Sequence, residues 1–242
     1  DLILEKEYKI SKRDELKPGY IGEDLQKYYF ARPPRTYKYF GDKLSAHPEY
    51  LHVNWKNPNQ YKREKILFRK ISSGYVAIVN IIPDGITLFN DQIYFFELKP
   101  QFSIMSSYFY LAIIGSRLFH YIYTKSYTDP DKNVYPYFTQ SKIKKMIVPF
   151  PLEHIDSNPS TYRISPNFPE YTKIISLMKK ILDWISKYIK LSNSNEKQEL
   201  LNRIQNNFDE MDRLIMEIYG IKDPTLQQRI RKLAEEFQFK IF

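Results

Sequence analysis

Residues 65–98 read KILFRKISSGYVAIVNIIPDGITLFNDQIYFFEL, and this stretch decides the fold class. Runs rich in β-branched and aromatic residues alternate with Ser-Gly, Pro-Asp-Gly and Asn-Asp turns, which is the pattern of short antiparallel strands. The stretch therefore predicts a β-meander with strands at Ile66–Ile71, Tyr75–Ile82, Ile86–Phe89 and Gln92–Leu98.

The sequence before this stretch predicts short strands and loops. Gly and Pro residues interrupt the first 71 residues repeatedly, so no long helix fits there. Leu25–Phe30 and Tyr37–Phe40 are short aromatic stretches that favour strands.

Helical patterns follow the strands. Tyr108–Tyr123 is apolar nearly all round and long enough for one buried helix, which would contain Ser116. A short strand is expected at Met146–Pro149. Residues 168–242 carry apolar stripes at helical spacing. A polar break lies at Ser192–Asn195, and Gly220 is a residue suited to ending the second helix.

These patterns predict a mixed α+β protein in two parts. Residues 1–165 form a β-rich domain with a buried helix, and residues 166–242 form an α-helical subdomain. The first two helices of that subdomain pair as an antiparallel hairpin, and a third helix begins at Asp223-Pro224.

The composition excludes several kinds of function. The 242 residues contain no Cys, which rules out a disulfide framework, a Cys-ligated zinc site and thiol catalysis in this chain. Only 7 Gly argue against a glycine-loop nucleotide fold. No apolar run approaches the ~18–20 residues that span a bilayer. The first residue is Asp1 rather than Met, so we expect a fragment of a longer protein.

The positive charge is concentrated in the first third of the chain. Residues 1–71 hold 16 Lys/Arg against 10 Asp/Glu, a net charge of +6 within a total of +9. Residues 152–242 hold 14 against 13 and are nearly neutral. A local excess of positive charge attracts polyanions, and DNA is the commonest of these.

Seven stretches of the sequence stand in a distinctive order. They are Gly22–Tyr28, Tyr39-Phe40-Gly41, Glu64–Ile71, Leu88–Phe95, Tyr110–Leu118, Lys142–Pro151 and Asp212–Ile221. In this order they resemble the TaqI-like C-terminal specificity domain of type II restriction–modification enzymes, and more distantly the specificity subunits of type I systems. One departure is Gly115, where that family usually has Asn before Ser116.

The resemblance implies a function in DNA recognition. In that family the domain binds a short double-stranded DNA sequence. It thereby positions the DNA for a methyltransferase, and sometimes also for a nuclease, on the same polypeptide. The usual chemistry is adenine N6 methylation with S-adenosylmethionine on a flipped base. The implied setting is the cytoplasm of a bacterium or archaeon. The implied cofactors of the parent protein are S-adenosylmethionine and, if a nuclease is fused, Mg²⁺.

The chain itself lacks the motifs of the methylating half. No Asn-Pro-Pro-Tyr type motif and no glycine-rich cofactor loop is present. We therefore expect no catalytic residue, no metal and no cofactor in this fragment.

Binding residues are sought among the basic side chains, because Lys and Arg neutralise phosphates and Arg can pair with guanine edges. Aromatic residues interleave with them, although many of these aromatics must form the core. The predicted DNA-binding residues are Lys27, Arg32, Arg35, Tyr37, Lys38, Lys62, Arg63, Arg69, Lys70, Arg117, Lys142, Lys144 and Lys145.

Two other functions stay open at this point. Asp84, Glu97 and Lys99 spell the PD…ExK pattern of metal-dependent nucleases, with Glu97 and Lys99 on one face of a strand, although Pro83-Asp84-Gly85 is also an ordinary turn. The helical part, with its apolar stripes and balanced charge, could instead be a protein-interaction scaffold.

Overall fold

The computed structural model describes residues 16–38, 63–70, 79–82, 87–127, 139–155, 162–236 and 239–242, and it confirms the mixed α+β class. The strands are β1 (Leu16–Tyr20), β2 (Leu25–Gln26), β3 (Tyr29–Phe30), β4 (Arg35–Lys38), β5 (Lys65–Arg69), β6 (Val79–Ile82), β7 (Leu88–Phe89), β8 (Ile93–Phe96), β9 (Leu152–His154) and β10 (Tyr162–Ile164). The helices are α1 (Ser107–Gly115), α2 (Arg117–Tyr127), α3 (Gln140–Ile143), α4 (Glu170–Tyr188), α5 (Ser194–Ile218) and α6 (Pro224–Glu236).

A three-stranded sheet lies at the centre of the strand region. Its order is β6-β5-β8, and both outer strands run antiparallel to β5. Ile66 and Phe68 belong to the large core that the helices also build, whereas Leu67 belongs to a second cluster with Leu25 and Ile93. Because both faces of β5 are buried, its three central residues, Ile66–Phe68, are all apolar rather than alternating.

The predicted meander is wrong at one strand. β7 does not join the central sheet but pairs in parallel with β1, in the order β4-β1-β7. Gly19 lies opposite Leu88 in this pairing, and Tyr20 lies opposite Phe89. The two partners are about 70 residues apart in the chain, so no local turn sequence reports their pairing.

The single helix predicted over Tyr108–Tyr123 is two helices. Ser116 separates α1 from α2 with an extended ψ of 159°, so it does not lie inside a helix. Its hydroxyl donates to the carbonyl of Ile113 at 2.7 Å and accepts the N–H of Phe119 at 3.1 Å. One serine therefore caps the end of one helix and the start of the next.

Position 115 requires a glycine because of the neighbouring side chain of Tyr28. The phenol of Tyr28 occupies the space where a Cβ atom of residue 115 would stand. Tyr28 itself has a backbone φ of +70°, which residues other than glycine rarely adopt. The resembled family usually has Asn at position 115, and an Asn side chain has no room here.

The helical region has the antiparallel hairpin that the sequence predicts. Lys173 near the start of α4 pairs with Glu210 near the end of α5, and Lys197 near the start of α5 lies over the ring of Tyr188, which ends α4. These contacts confirm the antiparallel hairpin. Gly220 has a φ of +81°, the left-handed conformation that ends helices.

The sequence predicts a strand at Met146–Pro149, but the structure has none there. Residues 147–151 are irregular, and the next strand is β9, which pairs with β10. Pro149 and Pro151 lack the N–H that a strand ladder needs, which explains the difference.

One core joins the two parts of the molecule. Phe109 of α1 packs on Tyr171 of α4 with ring centroids 4.8 Å apart, and the Tyr171 hydroxyl accepts the N–H of Ser106 at 2.7 Å. The boundary at residue 165 stays a prediction, and buried contacts cross it. Within the described ranges, no helix combines the length and the hydrophobicity of a membrane-spanning segment.

Candidate nucleic-acid interface

One corner of the molecule gathers arginines around a buried carboxylate. Asp24 ends the 3-10 turn Gly22–Asp24, and its side chain is fully buried. Its Oδ2 accepts the backbone N–H of Ile21 at 3.0 Å and Nη1 of Arg35 at 2.8 Å. Nη1 of Arg32 lies 4.0 Å from Oδ1 of the same carboxylate. Asp24 therefore draws together two guanidinium groups that flank the Pro33-Pro34 segment.

These two arginines keep much of their surface in solvent. The side chain of Arg32 is 61% exposed and that of Arg35 is 29% exposed. A guanidinium carries five N–H donors, and Arg35 uses Nη1 on Asp24. The remaining donors can bind an anion or a base edge, and the ion pair reduces the conformational freedom that binding must remove.

Two further basic residues lie at the same corner. The side chain of Gln92 packs directly against Gly22. The carbonyl of Gln92 accepts the N–H of Lys70 at 2.8 Å, and Lys70 Nζ lies 4.8 Å from the ring centroid of Tyr94. Arg69 precedes Lys70 and is partly exposed. We call the set Gly22–Asp24, Arg32, Arg35, Arg69, Lys70 and Gln92 the arginine corner.

Tyr20 borders this corner. Its ring stacks on Phe30 with centroids 3.9 Å apart. Burial raises the pKa of Tyr20, and the nearby carboxylate of Asp24 raises it further. The hydroxyl therefore stays protonated and can donate a hydrogen bond at neutral pH.

A second group of predicted residues lies near the other end of β5. Arg63 and Arg69 are six residues apart along the chain, which is roughly 20 Å in a strand. Arg63 Nη1 is 3.7 Å from Glu97 Oε1, and Glu97 shares a cavity wall with Lys144. Lys142 donates to the carbonyl of Tyr127 at 2.9 Å, whereas Lys144 and Lys145 are exposed.

A third group of predicted residues is buried. Lys27 is 4% exposed, donates to the carbonyl of Lys240 at 2.7 Å and lies 3.9 Å above the ring of Phe239. Arg117 is also 4% exposed. Tyr37 is buried with its ring against the backbone of Gly19.

Arg117 is held by carboxylates of α5. Its Nη1 donates to Asp209 at 2.8 Å, and its backbone N–H donates to Asp212 at 3.0 Å. The guanidinium also lies 5.2 Å from the ring centroid of Phe208. We call the set Lys27, Arg117, Phe208, Asp212 and Phe239 the interior cluster.

The interior cluster has the pKa shifts of buried charges. Burial lowers the pKa of Lys27 well below its ordinary value, and the nearby Arg117 lowers it further, while Asp212 opposes the shift. Burial raises the pKa of Asp212, and Arg117 opposes that shift. These groups serve packing between the strands and the helices, so we leave Lys27, Tyr37 and Arg117 out of the candidate interface.

Some predicted residues lie outside the described part of the structure. These are Lys62, Asp84 and the side chain of Lys38. Glu97 and Lys99 are described, but they follow β8 in an irregular segment rather than lying within a strand, so the predicted placement on one strand face is wrong. In the described ranges, no group of three His, Asp or Glu residues is arranged to hold a metal ion.

Asp24, Gln92 and Tyr20 were not predicted as parts of the interface. A sequence signal existed for Asp24, because an acidic residue stands within a basic stretch shortly before two arginines. No such signal marks Gln92, since its contact with Gly22 depends on the tertiary fold.

Comparisons with known proteins identify the family of this chain. The family model described as "TaqI-like C-terminal specificity domain" matches residues 17–148, which is more than half of the chain. The chain belongs to this family. No curated protein matches the chain.

A solved structure has a similar fold. It is the structure of the type IIL restriction–modification enzyme MmeI in complex with DNA, with a TM-score of 0.54 and 12% sequence identity. The match covers 95% of this chain and 31% of that chain, so this chain spans about a third of the length of that relative. At this identity the likeness shows a shared fold, and it extends over the helices that the family model does not reach.

Proposed function

We propose that this member of the TaqI-like C-terminal specificity domain family recognises a short double-stranded DNA sequence as part of a larger restriction–modification enzyme. The observation that carries the proposal is the arginine corner, where a buried aspartate pairs with the exposed Arg32 and the partly exposed Arg35. The similar fold of an enzyme solved in complex with DNA supports it.

The chemistry of the corner suits DNA. Arginine bonds guanine O6 and N7 with two parallel hydrogen bonds, and any basic side chain there can bind phosphates. Arg35 is tied to Asp24 and is the better positioned for a base edge, because its guanidinium has a defined orientation. Arg32 is more exposed and less constrained, which suits a phosphate contact.

We place the catalytic steps outside this chain. In this proposal the parent polypeptide carries an adenine N6 methyltransferase that uses S-adenosylmethionine, and it acts in the cytoplasm of a bacterium or archaeon. A fused endonuclease would require Mg²⁺. The specificity domain would position the DNA while the methyltransferase acts on a flipped base.

The PD…ExK nuclease is not favoured as a second function. Glu97 shares its cavity with apolar side chains and lies near the guanidinium of Arg63, surroundings that suit a magnesium ion poorly. Asp84 lies outside the described residues, so this alternative stays a prediction.

The test begins with the full polypeptide and a library of random duplexes. Repeated selection should enrich one short sequence, and the affinity for the enriched duplex should fall as salt rises. If no sequence is enriched, or if binding is indifferent to salt, the proposal fails.

Single substitutions then locate the interface. Arg35→Ala should weaken binding to the selected duplex by about 1–3 kcal/mol and relax the preference at one base position. Arg32→Ala should weaken binding to all duplexes and reduce the salt slope by about one. Arg203→Ala is the matched control, because its side chain is 59% exposed but lies on α5. Equal binding by all three variants would remove the arginine corner from the interface.

A further inference from the structure

Large exposed hydrophobic residues gather on one face of the molecule. Ile147 is 83% exposed, and Ile104, Val148, Phe150 and Ile155 are each between 41% and 49% exposed. All five come from two short stretches, residues 100–104 and 147–155. A patch of this kind marks an interaction surface more often than an isolated exposed residue does.

Aromatic contacts make these two stretches one surface. The ring of Phe102 lies 5.3 Å from the ring of Phe150 and 5.5 Å from that of Tyr162, both edge to face. Tyr162 pairs with His154 across β9 and β10, which brings the end of β9 beside the aromatic group. We call the surface formed by Phe102, Ile104, Ile147, Val148, Phe150, Ile155 and Tyr162 the apolar platform.

A cavity opens beside the platform. Its volume is about 250 Å³, and Val148 belongs both to its wall and to the platform. The rest of the wall is largely apolar, with Phe68, Phe96 and Phe119 among its residues. An apolar cavity of ~150 Å³ is enough to hold a benzene ring, so this one has room for a bulky aromatic or aliphatic side chain.

Two hydrogen bonds support the backbone of the platform from behind. The hydroxyl of Tyr219 donates to the carbonyl of Ile147 at 2.8 Å, and the hydroxyl of Tyr110 lies 3.4 Å from the carbonyl of Pro149. Met146 is buried next to this segment. These hydrogen bonds restrain the backbone beneath the exposed side chains, which reduces the entropy lost on binding.

The surroundings of the platform are basic. Lys99, Lys144 and Lys145 are exposed, and their ammonium groups form no ion pair within the described part of the chain. The nearby Glu153 is already bonded to Arg163 and Ser165. A surface with an apolar centre and a basic edge is complementary to a protein segment with an apolar centre and acidic flanks.

We propose that the apolar platform and its cavity dock a protein segment that inserts one bulky apolar side chain and flanks it with acidic residues. The segment belongs to the catalytic part of the same polypeptide, so this inference rests on the proposed function. Lys144 and Lys145, predicted from the sequence as DNA contacts, then bind carboxylates instead. DNA fits this face poorly, because several large hydrophobic side chains around a cavity offer nothing to a row of phosphates.

Site-specific cross-linking in the full polypeptide tests the proposal. The substitution Phe150→p-benzoylphenylalanine keeps an aromatic ring at a platform residue that is 47% exposed. The control is Leu226→p-benzoylphenylalanine, which has a similar exposure of 43% but lies on α6. After irradiation, mass spectrometry identifies what residue 150 has reached, with and without the selected duplex.

The expected product joins residue 150 to a peptide outside these 242 residues, within the same molecule and without DNA. A product with a DNA strand or with a second copy in an isotope-mixed sample overturns the proposal, and so does a sample in which every product joins residue 150 to its own neighbours in this chain, such as Phe102. A yield no higher than that of the control also overturns it.

A second variant separates this inference from DNA recognition. Val148→Asp in the full polypeptide should lower methyl transfer at least tenfold while the affinity for the selected duplex stays within twofold. Leu226→Asp should change neither. If Val148→Asp weakens DNA binding as much as methyl transfer, the platform is part of the DNA interface and the docking proposal is wrong. If the library selection enriches no sequence, the proposed function fails separately, and the cross-link formed without DNA still reports the docking.

Discussion

The arginine corner and the interior cluster are built from the same parts. Each contains a fully buried aspartate, Asp24 or Asp212, that accepts one backbone N–H and pairs with an arginine. The difference lies on the other side of the guanidinium. At the corner it is solvent, whereas in the interior cluster the rings of Phe208 and Phe239 cover Arg117. An arginine–aspartate pair therefore signals binding only where one face of the arginine remains open.

Removing the two aspartates should separate the two regions most strongly. Asp212→Ala leaves Arg117 without its most deeply buried partner, so the free energy of unfolding should fall by about 3–5 kcal/mol. Asp24→Ala should lower it by about 1–2 kcal/mol, because Arg35 can turn toward water. Urea denaturation of both variants measures the difference. Equal losses would mean that the corner is as structural as the interior.

A glycine pair provides the next comparison. Gly115→Ala places a methyl group on the buried ring of Tyr28 and should lower the free energy of unfolding by at least about 1–3 kcal/mol. Gly22→Ala meets the Oε1 and the Cβ of Gln92; the amide can swing into solvent and the Cβ moves only with its exposed turn, so the effect should be smaller than at the buried Gly115. Tyr28→Leu should restore much of the loss in Gly115→Ala but none in Gly22→Ala. Thermal and urea unfolding of the single and double variants check this.

The pH dependence of the free energy of unfolding should distinguish the buried Lys27 from the exposed Arg32. The pKa of Lys27 in the folded protein is well below 10.5, so above that lowered value the unfolded chain binds more protons than the folded one. In that window the free energy of unfolding rises with pH, by up to about 1.4 kcal/mol per pH unit. Lys27→Met lacks this contribution.

We therefore expect the wild type to gain stability over Lys27→Met as the pH rises above the lowered pKa of Lys27 toward 10.5. Arg32→Met is the exposed control and should follow the wild type throughout. Parallel curves for wild type and Lys27→Met would show that Lys27 is not buried as described.

The smallest effect is expected at the edge of the corner. Arg32 is 61% exposed and 4.0 Å from Asp24, so Arg32→Ala should change the free energy of unfolding by less than about 0.5 kcal/mol. Its effect should appear in DNA binding instead. A loss of stability above 1 kcal/mol would show that Arg32 supports the fold, and the contrast between the two regions would weaken.

Local patterns predicted the helices well and the strand pairing poorly. The helix Ser194–Ile218 and its partner Glu170–Tyr188 follow from apolar spacing and from a polar break, which are local in the sequence. The parallel pairing of β7 with β1 depends on residues far apart in the chain. The break at Ser116 escaped prediction because a serine inside an apolar stretch does not show that its side chain bonds the backbone on both sides.

The candidate interface shows the same limit. Lys27 and Arg32 look alike in the sequence, since both are basic residues in an aromatic segment. Only the tertiary fold decides that Lys27 is covered by Phe239, a residue more than 200 positions later. The family resemblance found the right class of protein, but burial had to decide between individual residues.

The bond from Lys27 to the carbonyl of Lys240 spans 213 residues and has a consequence for how the protein is made. Contacts of this sequence separation form late, because a long loop must close before they stabilise anything. During synthesis the strand turn that carries Lys27 leaves the ribosome long before its partner exists. A chimera that exchanges recognition modules should therefore transfer the residues around Lys240 together with the strands, so that both partners of this hydrogen bond come from one parent.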